Sequence, residues 1–228
     1  MVNIDPDTES AVPGKIVQNR IFDAAERLFA EKGYEGTSVR EITSAAGCNV
    51  AAVNYHFGGK ENLYTEVFRR RLRNLQDIRL KSIDKVMSED SAKATLEKLL
   101  RAFAHAFLEP FANQSQGRRF IKLMTREMLD QQLPKNMFSD EVIIPTTTAL
   151  GQALRKLCPE LENSKVQFCI HSLIAQLVHV IRIREMFAQA DNTNLPTFDI
   201  AKFIDHIVDF SVAGIRACEK ETPKCPEQ

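Results

Sequence analysis

Glycine cuts the first sixty residues at 33, 47 and 58–59, and the apolar residues between the cuts recur at helical spacing. Ile16, Val17, Ile21, Ala24, Ala25, Leu28 and Phe29 share one face of a first helix. Gly33 ends it, just past Lys32 in the last turn. Ser38-Val39-Arg40-Glu41 then matches a capping box, in which serine and glutamate satisfy free amides reciprocally at a helix start. Gly47 stops this second helix after about two turns, and Asn49 is placed to cap a third that reaches Phe57. Three short helices with a glycine turn between the second and third are the geometry of a helix-turn-helix. In that geometry the second helix braces the third, which enters the major groove of DNA. Ala45, Ala46 and Gly47 permit close approach at the turn, and Val39, Ile42, Cys48, Val53 and Phe57 form an apolar seam. The remaining positions, Asn49, Ala51, Ala52, Asn54, Tyr55 and His56, are small or polar, as suits a surface pressed on DNA.

Beyond Gly59 the periodicity predicts six further helices, at about 60–87, 92–111, 117–132, 138–157, 164–190 and 198–218. Pro110 with residues 113–117, Pro134, Pro159 and residues 192–196 separate them, and Ser164-x-x-Gln167 is a second capping box. β-branched runs are short and do not alternate, so no strand is expected. The expectation is an all-α chain. A polar, disordered lead occupies 1–13, a three-helix helix-turn-helix domain 14–59, a six-helix domain 60–218, and a flexible tail 219–228.

Charge is balanced at 30 basic and 30 acidic residues, so the whole molecule offers no basic signal. Between Lys15 and Arg73 ten basic residues face seven acidic ones, a small local excess of the kind phosphate contacts need. Arg69, Arg70, Arg71 and Arg73 cannot share one helix face and read as a solvated surface. The five cysteines, Cys48, Cys158, Cys169, Cys218 and Cys225, form no C-x-x-C pair, which indicates reduced thiols and neither a zinc ribbon nor a disulfide framework. The N-terminus is acidic where a signal peptide needs positive charge. The longest apolar stretch, 168–183, is interrupted by His171, Ser172, Gln176, His179 and Arg182 and reads as too short and too polar to span a bilayer. A cytoplasmic protein is expected. G-x-S-x-G, H-E-x-x-H and P-loop motifs are missing, and no strand–glycine–helix unit offers a dinucleotide site, so neither catalysis nor a metal or cofactor is expected.

Thr37-Ser38-Val39-Arg40-Glu41-Ile42, Ala46-Gly47, Tyr55-His56-Phe57 and Lys60-Glu61-Asn62-Leu63 follow one another at a spacing that closely resembles the DNA-binding segment of the TetR/AcrR family. The resemblance covers about residues 15–65. It implies a homodimeric regulator, in most members a repressor, whose second, larger domain of about six helices binds a small molecule and dimerises. It also implies phosphate contacts from Thr37 or Ser38, from Tyr55 and His56, and from Lys60. Each suits the chemistry, since hydroxyl, phenol and a helix start all donate to phosphate oxygen. Where the family usually carries tyrosine this chain has Asn54, which either drops a phosphate contact or reads adenine. Ala51 and Ala52 can touch thymine methyls, and Arg40 can reach a base, a phosphate or only solvent. The Ile144-Pro145 step and the stretch 172–176 resemble a branch with drug-responsive members.

In the second domain the helices at 164–190 and 198–217 are apolar on most sides, so each wants two partners. A four-helix bundle between two copies would supply them, as it does in the family. Phe103, Phe107 and Phe111 form one stripe, and Met124 and Met128 repeat the spacing; these are candidate pocket walls or plain core. His171 and His179, two turns apart in apolar surroundings, are candidate ligand contacts or satisfied core or interface histidines. Arg118, Lys122 and Arg126 line a stripe that is solvated unless it faces inward, where it would favour an anion. The partners expected are a palindromic double-stranded DNA operator, a second copy of the chain and an unidentified small effector, with no membrane. Two other readings remain: a structural or cell-division DNA-binding protein on the same fold, and a thiol-based redox regulator.

Overall fold

The structure, a computed structural model, describes residues 13–89, 93–112, 114–189 and 199–220. The lead at 1–12, the tail beyond 220 and the 192–196 separator lie outside them. Among the described residues every regular element is helical: α1 (Pro13–Lys32), α2 (Val39–Ala46), α3 (Ala51–Phe57), α4 (Lys60–Met87), α5 (Leu96–Ala112), α6 (Gln114–Asp130), α7 (Ile144–Leu157), α8 (Asn163–Gln189) and α9 (Ile200–Lys220). A single π-helical turn, Ser139–Ile143, runs directly into α7. Three local expectations are corrected. Pro110 stands inside the last turn of α5, where it removes one donor without stopping the helix. Ser164 lies within the first turn of α8, and its hydroxyl donates to Glu162 rather than closing a box with Gln167. Because α8 starts five residues before Phe168, its segment Asn163–Met186 is, by length and composition, apolar enough to cross a membrane.

Contacts divide the chain into two compact units. The first comprises the residues up to Arg71 together with 119–135; the second comprises 72–118 and 136 onward. The first unit thus takes in the beginning of α4 and most of α6 as well as the three short helices. Its core is Ile21, Ala25, Phe29, Ile42, Val53, Leu63, Tyr64, Phe68 and Leu123, all essentially removed from water. Tyr64 is the centre of an aromatic cluster, edge-on to Phe29 at 4.9 Å and to Tyr34 at 5.0 Å. Its hydroxyl donates to the buried carboxylate of Glu127 on α6 at 2.9 Å, which also accepts the amide of Leu133 at 2.8 Å. Arg126 donates to the carbonyls of Ala30 (3.1 Å) and Glu31 (2.7 Å), placing a cation on the C-terminal turn of α1 where the helix dipole favours it.

The arginine cluster of α4 is a solvated surface only in part: Arg70 and Arg73 are exposed, whereas Arg69 and Arg71 are half-buried. Arg71 grips the buried Glu26 of α1 with two hydrogen bonds, of 2.8 and 2.7 Å. Arg70 donates to Asn19 and lies 5.1 Å from the Phe22 ring; Arg69 pairs with Glu66. In the second unit Arg73 reaches Glu141. Two of the four arginines therefore contact α1. The core of the second unit is formed by α5, α7, α8 and α9 around Leu99, Leu100, Phe103, Leu150, Ile170, Leu177 and Val208.

Candidate nucleic-acid interface

α2 is fixed at both ends by the residues that announced it. Ser38 is extended, its Oγ accepts the Glu41 amide at 3.2 Å, and the Glu41 carboxylate accepts the Ser38 amide at 2.9 Å. Gly47 closes the helix with φ +60°, a conformation that strains any residue with a Cβ. A Cβ there would also stand 2.4 Å from the guanidinium of Arg20, which donates to the Gly47 carbonyl at 2.9 Å. Arg20 thus braces the turn from α1, a role with no local sequence signal.

Glu41 accepts Lys32 Nζ at 2.6 Å as well. Lys32, followed by the Ser38 amide and hydroxyl, pulls its carboxyl from the usual 4.5 to about 2. A lowered folded pKa stabilises the fold above the unfolded value and loses that contribution as the acid protonates. The melting-temperature gap between wild type and Glu41→Gln is therefore expected to be steady near neutrality and to close as pH falls from about 4.5 towards 2. A gap that stays constant across that window would show that the carboxylate charge is not what holds the cap.

Thr37, expected as a phosphate contact, is corrected. It is 1% exposed, and its hydroxyl donates inward to the carbonyls of Gly33 (2.8 Å) and Leu28 (3.2 Å). Ser38 remains at the surface, as does Arg40. α3 presents two sides. Val53 and Phe57 face inward, Phe57 edge-on to Phe22 at 4.9 Å. Ala51, Asn54 and Tyr55 face outward, Tyr55 being 84% exposed. Ala52 and His56 are half-buried, the His56 ring lining an open cleft of about 780 Å³ with Phe22, Phe57, Glu61 and Leu133. Asn49 is exposed, and its side-chain oxygen accepts the Ala51 amide at 3.0 Å, so it serves the helix start as expected. Lys60 opens α4 with its ammonium 4.1 Å from the Tyr34 ring centre. Of the seam, Ile42, Val53 and Phe57 are buried, Val39 and Cys48 half-buried.

The ligand candidates divide between the two units. Phe103 and Phe107 are core of the second unit, whereas Met124 and Met128 belong to the first, and Met128 is 72% exposed. His171 and His179 are both exposed; His171 makes a 2.7 Å hydrogen bond with the carbonyl of Gln167 in its own helix. The thiols of Cys169 and Cys218 adjoin through a side-chain hydrogen bond, and burial pushes the Cys169 thiol up. Burial pushes Cys158 up to about 11. A Cys169 thiol kept protonated by burial is a slow nucleophile, so proximity alone does not make it a redox switch. Among the described residues no three His, Cys, Asp or Glu side chains gather as a metal site would require.

A capped brace helix, a glycine turn and a short helix with one buried and one exposed face define a helix-turn-helix DNA-binding protein. A family model for bacterial regulatory proteins of the tetR family matches residues 21–67. A second, for the C-terminal domain of the HTH-type transcriptional dual regulator CecR, matches residues 96–215, over half of the chain. The chain belongs to the TetR family of transcriptional regulators, with a C-terminal domain of the CecR type.

Among its relatives, the HTH-type regulator YttP of Bacillus subtilis is 30% identical over 134 residues, 56% of this chain and 62% of that protein. The repressor AcnR of Corynebacterium glutamicum is 38% identical over 61 residues, 27% of this chain and 32% of its own. Both matches span less than two thirds of the relative's length. The crystal structure of FadR from Bacillus subtilis in complex with stearoyl-CoA shares the fold, with a TM-score of 0.62 over 87% of this chain and 99% of that one at 15% identity.

Proposed function

We propose that this chain is a homodimeric repressor, active in the cytosol, that leaves a palindromic operator when a small molecule binds its second unit. The outward face of α3 carries the reading: Tyr55, Asn54 and Ala51 are exposed on a helix held from behind, with Ser38 and Lys60 at neighbouring helix starts. Ser38, Tyr55, His56 and Lys60 hold phosphates, and Asn54, Ala51 and Arg40 are placed to meet base edges.

Exposed apolar side chains on α8 and α9 support dimerisation. Phe168, Val178 and Met186 on α8, and Phe203 and Phe210 on α9, are exposed, an apolar area that a second copy would cover. That cover also gives α8 its second partner, so its apolar length is read as bundle rather than membrane. Two recognition helices must sit roughly 34–36 Å apart to enter successive major grooves, and an effector that favours another spacing shifts the population off DNA. FadR carries stearoyl-CoA and AcnR is a repressor, which makes both parts of this mechanism natural for a relative.

The test is a salt titration of binding to the DNA upstream of the protein's own gene, for wild type, Tyr55→Ala and Lys60→Ala. Palindrome-dependent binding is expected, with a slope against log salt about one unit shallower in Lys60→Ala. Weak binding indifferent to sequence would leave a structural DNA-binding role as the better account.

A further inference from the structure

α4 lays a buried stripe into the second unit at Leu72, Leu75, Arg79, Ile83 and Val86, spaced three or four residues apart. Four of these positions are aliphatic. The fifth is an arginine, 7% exposed, at the centre of the stripe. Its guanidinium lies 3.8 Å from the centre of the Phe107 ring, and that ring packs against Phe103 with centroids 5.9 Å apart. Among the described residues it has no carboxylate partner, and its Nε is buried without any acceptor. Burial lowers its pKa to about 10, so it is still a cation at neutral pH.

Every other buried charge described above is matched. Glu26 has Arg71, and Glu127 has Tyr64 and an amide. The buried polar side-chain atoms left without a partner among the described residues are Arg79 Nε, Thr146 Oγ1 and Ser211 Oγ, all in the second unit. A ring face compensates a cation only in part, and an unmatched charge in a core is among the costliest arrangements a fold retains. Methionine or leucine would complete the stripe without that cost. A guanidinium offers five N–H donors in a planar fork that fits a carboxylate or phosphate.

We infer that Arg79 is the receptor for the negatively charged group of the effector, and that the effector is an organic anion with an apolar body. The inference rests on the effector-relieved reading and names the chemistry of its ligand. The anion supplies the acceptors that the protein withholds, and the aromatic and aliphatic surroundings of Arg79 suit a hydrocarbon portion.

Thermal shift and calorimetry on the full chain, without DNA, test this. The probes are decanoate, decyl phosphate, and decanol as the neutral analogue of equal tail length. Decanoate, decyl phosphate or both raise the melting temperature of wild type, the stronger of the two telling carboxylate from phosphate recognition, and decanol does not. Arg79→Met is expected to melt no lower than wild type and to bind the anion about ten- to a hundredfold more weakly. Arg79→Lys, which keeps the charge without the fork, falls between them and decides the matter if the methionine variant fails to fold. The inference is overturned if neither anion binds wild type, if decanol binds equally well, or if the Arg79 variants bind the anion as wild type does. Operator binding by the unliganded chain is measured separately: its loss would undo the repressor reading, whereas its persistence without anion binding would undo only the role of Arg79.

Discussion

Replacing Glu26 by leucine is expected to destabilise the DNA-reading unit by about 3 kcal/mol, near the low end of what breaking a buried ion pair costs. Glu26 is buried and accepts two hydrogen bonds from Arg71, whose side chain keeps 26% of its surface in water. Removing the carboxylate leaves that guanidinium facing an apolar wall, half-hydrated and without an acceptor. The double variant Glu26→Leu/Arg71→Met should recover most of the loss, because no charge is then left unmatched. Urea denaturation of the two single variants and the double decides it. Strict additivity would mean that the pair contributes packing and no coupling.

Phe103→Ala is the second large effect, at about 3–5 kcal/mol. The ring is fully buried in the core of the second unit against Phe107. Its truncation opens a cavity that close-packed neighbours only partly fill. Phe103 was also a candidate pocket wall, and the same measurement separates the two roles. A loss of only about 1 kcal/mol would mean that the ring already faces open space.

What could be read along the chain was whatever the chain settles locally. The capping box at Ser38 and Glu41, the left-handed Gly47 and the helix ends at Lys32 and Phe57 depend on residues within four positions of one another, and they stand where periodicity put them. Thr37 shows the limit. The family resemblance implied a phosphate contact from its hydroxyl or that of Ser38, but the carbonyls it meets belong to Gly33 and to Leu28, nine residues back. Arg20, Arg71 and Arg126 find partners 27, 45 and about 95 residues away, and no spacing rule predicts such pairings. The histidines of α8 show the same limit: apolar neighbours allowed core or interface, and both His171 and His179 are exposed, which rules out only the core. Arg79 did leave a trace, a charge on an otherwise aliphatic stripe, which becomes conspicuous once that stripe is known to be inside.

α3 is seven residues long. At 1.5 Å per residue it extends for about 10 Å, the length of roughly three base pairs stacked 3.4 Å apart. A word of three letters in a four-letter alphabet recurs on the order of once in 64 positions, while a genome presents about a million or more competing sites. A single recognition helix therefore carries too little information to name one address. In the proposed dimer, two copies reading mirrored words at a fixed interval would square the odds against chance, and the interval itself would become part of the message. An event that spoiled the interval would erase the address by denying one copy its groove, with no change to the reading residues themselves.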